Sequence, residues 1–66
     1  MRIEFTVTDK VHIVESDEPI SVNELLQRVG LQPSTVLVAT GGKVVPHTTV
    51  IKSDVELEGI IVSSGG

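Results

Sequence analysis

Residues 21–30 read SVNELLQRVG and predict a single short helix around which the rest of the chain must be arranged. Ser21 stands at the N-cap position, and Glu24 three residues later completes a capping box. Gly30 suits a left-handed C-terminal cap, and Pro33 just beyond it prevents the helix from continuing. The apolar positions, spaced i, i+3, i+4 and i+7, are Val22, Leu25, Leu26 and Val29. The helix therefore has one apolar face, which needs another element to cover it.

The residues before the helix predict a β-hairpin. Residues 1–7 alternate between apolar and polar side chains, which is the period of a half-buried strand. Residues 8–10 have turn character, and residues 11–15 read as a second strand that pairs back on the first. The apolar side of the first strand consists of Ile3, Phe5 and Val7.

Three further strands are predicted after the helix. Residues 36–40 form one, the Gly41-Gly42 pair suits a two-residue hairpin turn, and residues 43–45 return as a short strand. Residues 55–62 form the last strand. Gly59 lies inside it and leaves open whether a bulge shifts the register there.

This order of elements, ββαβββ, predicts an α+β protein with the β-grasp fold, in which one helix packs on one face of a mixed sheet. The first and last strands are then parallel neighbours in the middle of the sheet. We expect a β-grasp domain over residues 1–62 and a flexible Gly-Gly tail over residues 63–66. The predicted core consists of Ile3, Phe5, Val7, Val11, Ile13, Leu25, Leu26, Val29, Leu37, Val44, Val55, Leu57 and Ile61.

The composition excludes several classes of protein. The 66 residues include no cysteine, so packing must stabilise the fold without a disulfide framework or a cysteine-based zinc site. The formal net charge is -4 and the five Lys and Arg residues are scattered, which disfavours nucleic-acid binding. An acidic surface suits docking on a basic protein partner.

The sequence also bears on location. Met1 is followed by the acidic residues Glu4 and Asp9, which does not match a signal peptide. The apolar runs are far too short to cross a bilayer. We therefore expect a cytoplasmic protein that makes no membrane contact.

None of the polar groups in the chain forms a recognisable catalytic motif. Ser34, His47 and Asp54 lack the nucleophile turn and the oxyanion-hole signature of a triad, and ordinary loop residues explain them better. His12 and His47 are not at metal-ligand spacing. Residues 41–43, Gly-Gly-Lys, lack the Ser or Thr that a phosphate loop needs, and a hairpin turn accounts for them. We predict no enzyme activity, no metal site and no bound cofactor.

The terminal residues 63–66, Ser-Ser-Gly-Gly, are one feature that stability does not explain. Glycine contributes no side chain to a core and costs chain entropy when it is ordered. A tail made of Ser63, Ser64, Gly65 and Gly66 can instead enter a narrow channel and present its terminal carboxylate to a nucleotide phosphate. A frayed chain end is the simpler interpretation of two glycines.

A predicted patch of outward-facing apolar residues is the second such feature. If Thr40 and Lys43 flank the hairpin turn on the solvent face, Val38 lies opposite Val45 on that same face. Exposed apolar patches of this kind commonly mark interfaces. A bulge at Gly59 or a different register would bury part of it. The predicted docking patch consists of Val36, Val38, Val45, Ile60 and Val62.

The whole chain resembles the ubiquitin-like sulfur carriers: the thiamine-pathway carrier ThiS, the molybdopterin-synthase subunit MoaD and the small archaeal modifier proteins. The stretches that carry the resemblance are residues 21–26, residues 36–46, residues 54–57 and the terminal Gly65-Gly66. The chain departs from many relatives at Ser63-Ser64, directly before the glycine pair.

The resemblance implies a role as a protein substrate. A ubiquitin-activating-type enzyme, using ATP and magnesium, would adenylate the Gly66 carboxylate. Gly66 would then become a thiocarboxylate for sulfur transfer in thiamine or molybdopterin synthesis or tRNA thiolation, or would be joined to target lysines by an isopeptide bond. Within the chain itself, Lys10, Lys43 and Lys52 are candidate conjugate acceptors, although each also reads as an ordinary surface lysine.

A different class of function stays open on the sequence alone. A β-grasp domain can act as a non-covalent interaction module through its sheet edge or its valine-rich face, with an incidental Gly-Gly tail. Such a module would keep its function without Gly65 and Gly66, whereas a carrier would lose it.

Overall fold

The computed structural model describes residues 1–62 and confirms the predicted α+β, β-grasp architecture. The helix and the five strands that the sequence predicts are all present, and two short strands are added. The elements are β1 (Arg2–Val7), β2 (Lys10–Glu15), β3 (Ile20–Ser21), α1 (Val22–Arg28), a 3-10 turn (Pro33–Thr35), β4 (Val36–Thr40), β5 (Lys43–Val45), β6 (Val50–Ile51) and β7 (Val55–Ile61).

The main sheet has five strands in the order β2-β1-β7-β4-β5. Strands β1 and β7 are parallel and central, with Ile3 beside Val55 and Val7 beside Gly59, as predicted. Strands β3 and β6 form a separate two-stranded sheet that is not predicted from the sequence pattern. No helix within residues 1–62 has the length and apolar character needed to span a membrane.

The ends of α1 are fixed by the predicted caps. The Ser21 Oγ accepts a hydrogen bond of 3.1 Å from the Glu24 N–H. At the other end Gly30 has a φ of 82°, and the Leu31 N–H donates to the Leu26 carbonyl, which together form a Schellman motif. The Glu24 carboxylate pairs instead with Arg28 at 3.2 Å on the exposed side of the helix, so the return hydrogen bond of the predicted capping box to the Ser21 N–H is not formed.

The core lies between α1 and one face of the sheet, which we call the inner face. Its buried members are Ile3, Phe5, Val7, Ile20, Val22, Leu25, Leu26, Val36, Val38, Ile51 and Leu57. Two predicted core residues, Val29 and Val55, are half-buried against it. Five predicted core residues are wrong, because they are exposed: Val11, Ile13, Leu37, Val44 and Ile61.

The length of the first turn explains the error on β2. The sequence predicts a turn over residues 8–10, whereas in the structure Lys10 already pairs with Val7. Residues directly opposite each other on antiparallel strands share a face, so the shorter turn reverses the inward set of β2. His12 and Val14 therefore lie opposite Phe5 and Ile3 on the inner face.

A similar reversal applies to β4. Val38 pairs with Val45 and Thr40 with Lys43, so the predicted register is confirmed. The predicted orientation is wrong, however. Thr40 lies on the inner face and not on the solvent face, and its hydroxyl donates to the Glu56 carbonyl at 2.9 Å. Gly59 pairs with Val7 and Val38 in unbroken register, so no bulge occurs there.

The first hairpin turn contains a strained residue, Thr8, with a φ of 55°. Positive φ is uncommon for β-branched residues, whereas glycine adopts it readily. We expect Thr8→Gly to raise the free energy of unfolding by about 0.5–1 kcal/mol, after allowing for the greater freedom of glycine in the unfolded chain. Urea denaturation measures this change: the midpoint should rise while the m-value stays the same. Thr6→Gly, within β1, is the control and should destabilise; a T8G midpoint at or below wild type would contradict the prediction.

Candidate functional site

The predicted carrier site lies outside the described residues, because Ser63, Ser64, Gly65 and Gly66 all follow Val62. The structure does fix the position of Val62 itself. Its N–H donates to the Thr35 carbonyl at 2.8 Å, and Ile61 before it pairs with Val36. The chain therefore reaches residue 62 at the end of β7 that lies beside the start of β4.

The structure corrects the composition of the predicted docking patch. Val36 and Val38 are 1% and 0% exposed and belong to the core, and Val45 is half-buried against it. Val62 is half-buried, while Ile60 is 43% exposed. Of the five predicted residues, Ile60 is therefore the one with a substantially exposed side chain on the face opposite α1.

A different set of apolar residues occupies that face, which we call the outer face. Leu37 is 40% exposed, pairs directly with Ile60 across β4 and β7, and lies on the side of the sheet away from Val36 and Val38. Val44 is 65% exposed and pairs with Ala39 on the same face. We name Leu37, Val44 and Ile60 the outer patch; Ile60 is two residues from Val62.

A row of carboxylates runs beside the outer patch. Glu4 on β1 lies next to Glu56 on β7, and Glu58 follows on the same face of β7, beside Ala39 of β4. We name Glu4, Glu56 and Glu58 the acidic row. A broad, shallow concavity of the outer face is lined by these three carboxylates together with Arg2, Val44 and Ile60.

Beyond the acidic row, the edge strand β2 adds two more exposed apolar side chains. Val11 is 55% exposed and lies beside Thr6, and Ile13 is 44% exposed and lies beside Glu4. We name Val11 and Ile13 the edge pair. The alternation of residues 56–60 was the sequence signal for this face: Glu56 and Glu58 mark the outward positions of β7, which also place Ile60 outward.

The three candidate acceptor lysines are all exposed. Lys10 begins β2, Lys43 begins β5 and Lys52 lies between β6 and β7. Their positions are separate on the molecule, and their role as conjugate acceptors stays a prediction.

Two of the three loop residues considered as a catalytic set, His47 and Asp54, have a structural contact of their own. The His47 Nε2 lies 2.8 Å from the Val36 carbonyl oxygen and ties the segment after β5 to the start of β4. The Asp54 carboxylate accepts the Arg2 N–H at 2.7 Å, while Ser34 is exposed in the 3-10 turn. Among residues 1–62, no three His, Cys, Asp or Glu side chains converge as metal ligands.

Comparison with known proteins supports the fold. No protein-family model and no curated protein matches this sequence. Among solved structures, the chain is similar to one in the crystal structure of a pParkin–pUb–UbcH7 complex, with a TM-score of 0.67 and 19% identity. The match covers 96% of this chain but 23% of that one. Likeness at this identity shows the fold alone. The chain thus has a ubiquitin-like β-grasp fold.

Proposed function

We propose that this chain is a ubiquitin-like carrier or modifier whose Gly66 carboxylate is activated by a partner enzyme. The observation that supports the proposal is the placement of the outer patch. In a ubiquitin-like fold, Leu37 and Ile60 form an exposed apolar pair at the end of β7, from which the Gly65-Gly66 terminus follows in sequence. Ile60 precedes Gly66 by six residues, so an enzyme that docks on this patch binds close to the terminus in sequence.

The chemistry of the proposal requires the partner to supply every catalytic group. A carboxylate is a poor acyl donor until its oxygen becomes part of a leaving group. Attack by the Gly66 carboxylate on the α-phosphate of ATP, with magnesium, forms an acyl-adenylate and releases pyrophosphate. A sulfur nucleophile then displaces AMP to give a thiocarboxylate, or a lysine amine displaces it to give an isopeptide bond.

The proposed partner is an adenylating enzyme of the ubiquitin-activating type, acting in the cytoplasm. The later acceptor is either a sulfur-accepting enzyme, for thiamine, molybdopterin or tRNA thiolation, or a lysine of a target protein. Lys10, Lys43 and Lys52 are exposed, so a second copy of the chain also presents acceptor amines.

A second candidate function is a non-covalent interaction module, and the exposed outer face favours it. Leu37, Val44 and Ile60 lie on one face and do not require the tail in order to bind a protein. In this alternative the interaction depends on the sheet alone, and Gly65 and Gly66 have no part in it.

Removal of the glycine pair separates the two functions. We expect the chain ending at Ser64 to lose all detectable adenylation, measured as ATP–pyrophosphate exchange with the partner enzyme, because the reacting carboxylate is displaced. Intact mass spectrometry of the wild type with ATP, magnesium, sulfide and the enzyme should show replacement of one oxygen by sulfur. In the presence of target proteins, a ladder of conjugates on a denaturing gel would identify the modifier branch.

The matched control keeps the length of the tail and changes its side chains. Ser63→Ala with Ser64→Ala retains Gly65 and Gly66, and we expect it to be adenylated. Circular dichroism should show that the shortened chain folds as the wild type does. A shortened chain that retains its biological activity would contradict the carrier function and favour the module.

A further inference from the structure

The exposed side chains of the outer face fall into three zones. The edge pair on β2 forms one zone and the outer patch on β4, β5 and β7 forms another. The acidic row on the central strands β1 and β7 lies between them. Two apolar zones are thus separated by a zone of negative charge.

No carboxylate of the acidic row forms an ion pair within residues 1–62. Glu4 and Glu56 lie directly beside each other on neighbouring strands, and like charges in that position oppose pairing. The one ion pair within residues 1–62 is Glu24 with Arg28, on the helix. Arg2 lines the same concavity, two residues before Glu4 and beside Glu15, but it too forms no ion pair within residues 1–62. The three carboxylates of the acidic row are thus left without an ionic partner inside the described fold and are available to basic groups of a binding partner.

We propose that the outer face binds a protein surface on which Arg or Lys side chains lie between two groups of apolar side chains. The basic groups pair with Glu56 and Glu58, while the apolar groups contact the outer patch and the edge pair. This proposal rests on the proposed function in one respect: the protein that binds the outer face is the adenylating enzyme. A second copy of the chain is disfavoured because two acidic rows would face each other. Nucleic acids and anionic membranes are disfavoured because their negative charge would repel the acidic row.

Charge in this position should act chiefly on the rate of encounter. Complementary charges raise association rates, and salt weakens the effect by screening. The apolar zones then provide the close contact that slows dissociation. The face therefore combines an attraction at a distance with a short-range apolar contact.

The test uses the double variant Glu56→Gln with Glu58→Gln and a control of equal charge change away from the sheet. The control is Asp17→Asn with Glu18→Gln, in the exposed loop between β2 and β3. Association and dissociation rates with the purified adenylating enzyme are measured without ATP, for chains with and without Gly65-Gly66. We expect E56Q/E58Q to associate roughly 5- to 10-fold more slowly at low salt. The loss should disappear near about 0.5 M NaCl, and the control should change less than about twofold.

Stability provides a second readout, because removal of neighbouring like charges should help folding. Glu56→Gln should raise the urea midpoint at low salt while it slows association, and a variant damaged in its fold would lower the midpoint instead. Equal losses in the sheet variant and the control would overturn the proposal, since net charge alone would explain them. Absence of wild-type binding would also overturn it.

The same measurements distinguish the proposal from the carrier function. Glutamate-dependent binding by a chain that is never adenylated would support the docking surface and contradict the carrier role. Normal adenylation with glutamate-independent association would overturn the docking surface and leave the carrier role intact.

Discussion

Gly59→Ala is expected to lower the free energy of unfolding by about 3 kcal/mol, a large part of the 5–15 kcal/mol that is typical of a small domain. Gly59 lies at an inner-face position of β7, beside Val7 on β1 and Val38 on β4. An added Cβ would lie 2.5 Å from Phe5 Cζ and 3.1 Å from Val7 Cβ, both closer than ordinary contacts. The Phe5 ring occupies the space that a side chain would need. Urea denaturation measures the loss.

A smaller side chain at position 5 tests this explanation. In the Phe5→Leu background the alanine at position 59 loses its closest steric conflict, so the two substitutions should cost less together than the sum of their separate effects. Gly42→Ala is a control for glycine removal without a clash, since its φ of 82° is unfavourable for alanine but nothing lies within 4 Å. G59A stability equal to wild type would contradict the packing argument.

Under the proposed carrier function, Leu37→Asp is expected to reduce adenylation of Gly66 by at least about thirtyfold in kcat/KM, the size of a hot-spot loss at a protein interface. The side chain is 40% exposed in the middle of the outer patch, so a charge there should disrupt docking and leave the fold nearly unchanged. Pyrophosphate exchange with the adenylating enzyme provides the rate, and thermal unfolding verifies the fold.

Two controls make the result specific to the outer face. Val50→Asp places the same charge at a residue that is 48% exposed on β6, away from the main sheet, and should retain near-normal adenylation. Val38→Asp alters the neighbour of Leu37 that points inward and is fully buried, so it should unfold the protein. If L37D were adenylated like the wild type, the outer patch would not be the docking surface.

The helix and its ends were predictable because their signals are local. The N-cap at Ser21 and the glycine cap at Gly30 depend on hydrogen bonds within a few residues, and both are present. The parallel pairing of β1 with β7 was predictable for a different reason. Both strands are apolar enough to be central, and the helix lies on the connection between them.

The side chains of β2 and β4 that face the core could not be predicted from the sequences of these two strands alone. Residues 36–39, Val-Leu-Val-Ala, do not alternate, so the strand itself carries no signal for its inward side. That side is set by the partner strand, since Val38 pairs with Gly59, which lies in line with the buried Leu57. On β2, a change of one residue in the length of the preceding turn exchanges the side chains that face the core with those that face outward. The sequence Thr8-Asp9-Lys10 suits a turn of two or of three residues, so it does not decide between them.

These facing errors carried over to the candidate site. The sequence indicated that an apolar surface lies on β4, β5 and β7, but it selected the buried Val36 and Val38 in place of the exposed Leu37 and Val44. The tail was identified from its composition, and its chemistry was implied by a family resemblance. The role of the tail is therefore tested by removing Gly65 and Gly66, whereas the proposed docking surface can be tested by substituting its residues one at a time.

The central position of β7 also affects when the protein can fold during synthesis. Strand β1 finds its parallel neighbour only after residues 55–61 have been made, because that pairing joins opposite ends of the sequence. Until then a nascent chain lacks the middle strand of its sheet, and Leu37 lacks Ile60 beside it. A partner that binds the outer patch would thus engage only chains that extend through β7, because a fragment that ends before residue 55 lacks Ile60 beside Leu37.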